Sequence, residues 1–301
     1  MTHLRLILTV VASSLVLAVT LGTGAGASSG PAPLINPPHN LPMQVNPQWS
    51  RDCAADVTGP VCTSHLLATI NVEHAQLHEP RIYLPTNWQS LTRDQQVFVV
   101  VNLERMSNRY PPYLGLNAAL TRGATVAADQ NRDVRFPIAG FKAAISVGGP
   151  TYGGAWASTD TPLLADYIWM YDDGWGGSSN PTTNLDCHSA RSVGCWGHRD
   201  SLLGWIPGLH FGVGLTCTTC EVGVGYSSAG SGSLTVAILR PATGIPPMTF
   251  TWAHELHYFT HPLPTYWTAP PTTTTTSTTT TTTTSPATTT STTTTVTSNV
   301  P

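Results

Sequence analysis

The chain has 301 residues, 41% hydrophobic and 10% charged, and its 13 basic against 16 acidic residues leave a formal charge of -3. With no basic block, there is no electrostatic ground for expecting nucleic acid or an anionic membrane as partner. The apolar share excludes a wholly disordered chain and suits one medium domain with a substantial core.

In chain order, residues 1–27 read as a secretory signal. Arg5 supplies the positive start, Leu6 to Leu21 is an apolar run relieved by Ser13, Ser14 and Thr20, and Ala25-Gly26-Ala27 is a small-residue cleavage site. The run is short for a bilayer span, so no transmembrane anchor is expected. Residues 28–90 form a Pro-rich extension, with an extended arm from Ser28 to Arg51 and a small loop between Cys53 and Cys62. Leu66 to Leu77 reads as a short helix ended by Pro80. His65, His74 and His78 gather around it. His74 and His78 have the i,i+4 spacing of metal ligands, but Glu73 and Glu79 point elsewhere on a helix, so these are read as surface histidines.

Thr92 and Gln95 form a capping box before the run Val97 to Val101, favouring a buried helix from Arg93 to Asn108 that Pro111-Pro112 brings to a stop. Asn117 caps a second helix, Ala118 to Asn131. Ala143 to Gly154 is a candidate strand and loop. Thr161-Pro162 starts a third helix, striped by Leu163, Leu164, Tyr167, Ile168 and Tyr171 and ended by Gly174 as a left-handed cap. A Gly/Ser/Asn loop then runs from Trp175 to Cys195. His210 to Cys217, Glu221 to Tyr226 and Ser233 to Arg240 alternate as strands. Helices first and antiparallel strands last make an α+β fold, helices packed on a small antiparallel sheet. Residues 242–270 leave the domain with Pro and aromatics. Residues 271–301 are nearly all Thr, cannot bury a core, and read as a disordered, O-glycosylated tail.

Six cysteines in a secreted chain argue for disulfides. The local pairs Cys53 with Cys62, Cys187 with Cys195 and Cys217 with Cys220 are favoured because each closes a short loop of turn-forming residues. Cys217-Thr218-Thr219-Cys220 also has the spacing of a redox or metal motif, although its strand-like flanks suit a hairpin staple better.

Three blocks carry a resemblance. Asn102-Leu103-Glu104-Arg105 precedes Gly115-Leu116, a Trp169-bearing helix follows, and Gly197-His198-Arg199 closes the set. In this order and at these separations they resemble the bacterial, actinobacterial-type branch of the CAP superfamily (cysteine-rich secretory proteins, antigen 5 and pathogenesis-related proteins), over residues 91–241. The resemblance implies an α-β-α sandwich and a central cleft whose two His and two acidic residues can hold a divalent cation. Carried over residue by residue, His198 matches the family's second His and Asp172 lies where the family often has Glu, with Asp173 as a second carboxylate. Ala155 stands where another Glu is expected, and no His falls near Phe136-Pro137. Two ligands are short of the three or four that zinc takes, so no cofactor is expected; Asp172 and His198 are what remains for a cation.

The candidate ligand cleft is lined by His198, Asp172, Asp173, Trp156 and Tyr171, while Asn102, Arg105 and Arg199 read as structural braces. The leading expectation is a non-catalytic extracellular binding module for a lipid, a glycan or a peptide, present as a single copy. The competing expectation is a hydrolase in which His198 acts as base and Asp172 orients it. A third is a cell-surface spacer. Nucleophilic catalysis has no Gly-x-Ser-x-Gly support. His254-Glu255-Leu256-His257 is one residue short of the zincin signature, on a segment expected to be extended.

Overall fold

The computed structural model describes residues 36–41, 51, 53–134, 141–143, 154–159, 161–176, 184, 187–189, 192, 194–203, 221–227, 233–241, 247–265, 277–285 and 288–296. The signal segment 1–27, the strand expected at 210–217 and the cysteine pair 217/220 lie outside them.

Helix α1 spans Pro60–Gln76, starting on a Pro at its first turn; His78 follows with a φ of 58°, a left-handed residue that ends the helical path. Helix α2 spans Arg93–Ser107 under the complete Thr92/Gln95 capping box. Every residue from Gln96 to Ser107 in α2 is buried, so this helix lies inside the protein and not on its surface. Strand β1 (Gly115–Asn117) runs directly into α3 (Ala118–Asp129), whose first amides donate to the Asn117 side chain. Strands β2 (Phe141–Ala143) and β3 (Gly154–Ala157) precede α4 (Pro162–Tyr171) and the short α5 (Gly197–Leu203). Strands β4 (Glu221–Ser227), β5 (Ser233–Pro241) and β6 (Met248–Thr251) follow, with α6 at Trp252–Glu255.

The fold is α+β. Six strands form one sheet in the order β2-β5-β4-β1-β6, with β3 also on β5. The hairpin β4/β5, in register from Glu221↔Leu239 to Ser227↔Ser233, is its centre. All pairs are antiparallel except β1 with β4, which meet in parallel at Leu116↔Val222. Helix α3 packs on β4 and β5, while α2 packs on β4, α4 and α5.

The core reaches outside 91–241. Leu41, Leu66, Ile70 and Ile82 from the N-terminal side and Trp252 from the C-terminal side join Val97, Phe98, Leu103, Tyr113 and Trp169 in one cluster. Asn40 and Leu41 are pinned to the end of α4: Leu41 N–H donates to Tyr171 O at 2.9 Å and Asn40 Oδ1 accepts from Gly174 N–H at 2.7 Å. The 248–255 stretch does not simply leave the domain, because β6 pairs with β1 and supplies an edge strand. The segment holding His254 and His257 is helical and not extended, since the Thr251 hydroxyl caps it through His254 N–H.

Disulfides join Cys53 to Cys62 and Cys187 to Cys195. They suit an oxidising, extracellular setting. No helix among the described residues is long and apolar enough to cross a membrane. In the Thr tail, expected to be disordered, Ser277–Ser285 (β7) and Thr288–Val296 (β8) pair as an antiparallel ribbon. The reason is local: β-branched Thr favours extended backbone even where there is no core to bury.

Candidate functional site

His198 sits in the first turn of α5, and its geometry is made by Asp173, two residues past α4. Asp173 Oδ2 accepts from the backbone N–H groups of His198 at 2.8 Å and Arg199 at 3.4 Å, so it caps α5 from a distance. Its Oδ1 accepts from His198 Nδ1–H at 2.7 Å and Asn184 Nδ2 at 2.8 Å. The carboxylate brought onto His198 is therefore Asp173, and not the neighbouring Asp172 assigned that role from the sequence. Helix α4 ends at Tyr171 and Asp172 takes the terminal position with a φ of -124°, part-exposed; the turn after it carries Asp173 inward, to 1% exposure.

The other ring nitrogen, Nε2, lies 3.5 Å from Asp133 Oδ1, whose side chain is half exposed. Burial pulls the His198 imidazolium down, but Asp173 first, and Asp133 with it, outweigh this and push it up to about 10. Burial likewise pushes the Asp173 carboxyl up, against His198. Three of the four groups on its oxygens are obligate N–H donors, however, from Asn184 and the His198 and Arg199 backbone, which favours the carboxylate and leaves the shared proton on His198 Nδ1. His198 is thus an imidazolium between two carboxylates.

The remaining cleft candidates do not converge on it. Tyr171 is fully buried and its hydroxyl donates to Glu104 Oε1 at 3.0 Å and Oε2 at 2.9 Å, so it lines no open surface. Trp156 is half-buried on β3, a strand packed against α5; its carbonyl accepts from Trp169 Nε1 at 2.9 Å. Gly174 is not a left-handed cap. A Cβ there would lie 2.2 Å from the Trp196 ring, so glycine is required by close approach of the indole.

The motif residues brace the fold. Asn102 bonds both backbone groups of Tyr113, accepting at 2.7 Å and donating at 3.2 Å. Arg105 donates from Nε to Pro111 O at 2.9 Å and from Nη1 to Leu203 O at 2.6 Å, with its guanidinium 3.8 Å from the centre of the Tyr113 ring. Arg199 donates to Met170 O at 3.0 Å and to Glu79 Oε1 at 2.9 Å.

Arg199 leads to a buried cluster that the sequence did not announce. His74, read as a surface residue, has 0% exposure: α1 lies against α4, and the ring meets Glu104 of α2, Nε2 to Oε1, at 3.0 Å. Its Nδ1 meets Pro80 O at 2.6 Å and lies 3.8 Å from Glu79 Oε2. Asp166 of α4, fully buried, joins Glu104; burial first, then Glu104, drive its carboxyl well above its usual range. Two signals pointed here. Glu104 is the one carboxylate in the buried stretch of α2 from Gln96 to Ser107, and Asp166 falls inside the apolar stripe of α4. His254 and His257 do not form a metal pair with Glu255, which is buried and accepts from Asn87 Nδ2 at 3.2 Å.

A separate polar groove of about 500 Å³ lies at the start of α2, lined by Thr58, Gln89, Thr92, Arg93, Thr121 and Thr125 among others, with none of the candidate residues in it. Comparison with protein-family models, curated proteins and solved structures finds no significant match to this chain.

Proposed function

We propose that this chain is a secreted binding module of the CAP type, not an enzyme. The observation that carries the non-catalytic half is that both ring nitrogens of His198 face carboxylates, Asp173 at 2.7 Å and Asp133 at 3.5 Å. A general base must be neutral at working pH with a free lone pair. A charged ring, with Nδ1 bonded to Asp173 and Nε2 paired with Asp133, has none. What it offers instead is a fixed, part-exposed polar edge on α5 beside β3, suited to a polar group on a lipid, glycan or peptide.

The CAP half rests on the three sequence blocks, in which Asn102 ties α2 to the Tyr113 backbone while Arg105 and Arg199 brace α2 and α4 against α5. The Thr tail would then act as an O-glycosylated stalk presenting the domain outside the cell.

The test is an NMR titration of His198 in protein labelled at histidine, with native mass spectrometry of protein from a secreting host to find a retained ligand. A ring still charged at pH 8 and a bound small molecule support this reading. A ring that titrates near 6.5 restores the hydrolase, and an empty, ligand-indifferent domain leaves only a spacer.

A further inference from the structure

A buried site apart from His198 is built from three side chains on different elements, His74 (α1), Glu79 (after it) and Glu104 (α2), with Asp166 (α4) beside Glu104. Ligand atoms of the first three lie within 4.8 Å of one another. His74, Glu104 and Asp166 are buried at 0%, 1% and 0% exposure, so nearly all of this lies out of water.

The polar groups are unevenly satisfied. Tyr171 holds both Glu104 oxygens and Arg199 holds Glu79 Oε1. Among the described residues, Glu79 Oε2 and both Asp166 oxygens meet no hydrogen-bond donor, although Asp166 faces Glu104. A fully buried carboxyl without a donor costs several kcal/mol unless a positive charge is supplied. Because a carbonyl can only accept, the 2.6 Å contact of His74 with Pro80 O puts a proton on Nδ1 and turns Nε2 towards Glu104. A metal-bound imidazole is fixed in the same way by its outer neighbour.

We propose that His74, Glu79, Glu104 and Asp166 bind one divalent transition cation of the Zn²⁺ or Mn²⁺ class. One imidazole nitrogen with carboxylate oxygens is a donor set both ions accept. The charge count agrees. Three carboxylates and Arg199 leave two negative charges around a neutral His74, which one dication cancels. Without metal the same cavity is neutral when two protons are held among these four groups, so the ion replaces two protons. Glu79, with its side chain 11% exposed, is the point of entry. None of these four residues is carried over from the family's cleft, and the inference does not rest on the reading of His198.

The experiment uses the full chain from an oxidising host. Metal content is measured as purified, then after chelation in denaturant and refolding, with Zn²⁺ and Mn²⁺ titrated in thermal melts. One ion per chain is expected, with a Tm rise of about 5 to 10 °C at a hundredfold excess over Kd and release of about two protons per ion. Glu79→Gln, at the rim, and Asp166→Asn should each weaken binding at least tenfold, and His198→Asn should not. No retained ion and no Tm rise with either metal would overturn the proposal, leaving the two-proton state. An ion lost in His198→Asn but kept in Glu79→Gln and Asp166→Asn would overturn it too, placing the metal in the cleft.

Discussion

Asp173→Asn tests the account of His198. The shift of the imidazolium from 6.5 to about 10 corresponds to about 5 kcal/mol at most of preferential stabilisation of the charged ring. Asp133, half exposed, is screened by water and contributes the smaller part. The amide keeps the shape but removes the buried charge and turns an NH₂ towards N–H donors. A loss of about 3 to 5 kcal/mol is expected at pH 6. The sign follows from linkage. A pKa raised in the folded state contributes stability that is full below about 6.5, the unfolded value, and is lost as pH rises through about 10. At pH 10 the wild type has shed much of that contribution, so the variant should then trail it by only about 1 to 3 kcal/mol, the cost of mispaired donors. Guanidinium unfolding of both proteins at the two pH values measures the difference. An equal gap at both, or a wild-type stability that does not fall between pH 6.5 and 10, would refute the carboxylate clamp.

Replacing Cys187 and Cys195 with Ser opens a loop of sequence separation 8 and should lower stability by about 2 to 3 kcal/mol, with far-UV circular dichroism unchanged; peptide mapping of the oxidised wild type must show this pair. Arg105→Lys loses the fork that spans Pro111 O and Leu203 O and should cost about 2 to 4 kcal/mol in a denaturant melt; a cost below 0.5 kcal/mol, within the range of an ordinary surface change, would remove its role as a brace. Gly174→Ala puts a Cβ into the Trp196 ring, so a loss of about 1 to 3 kcal/mol with altered near-UV circular dichroism is expected. An unchanged Trp signal would mean the indole packs elsewhere in solution.

The sequence by itself determined what is set within a few residues. The Thr92/Gln95 box and its apolar run specify α2, Asn117 specifies the start of α3, and the spacing of Cys53/Cys62 and Cys187/Cys195 specifies their disulfides. Each is a contact between near neighbours, written in residue type and spacing. Tertiary structure decided which carboxylate meets His198. Asp172 and Asp173 are adjacent and alike, and only the turn after α4 and the docking of α5, 25 positions away, turn the second one inward. It also decided the fate of His74. A histidine on a short helix reads as a surface group until α2 and α4 cover it, and its partner Glu104 is 30 positions further on. Local propensity carries no information about such distant partners, because burial depends on which elements pack together. The same packing of distant parts explains why Gly174 answers to the Trp196 indole and not to a helix end.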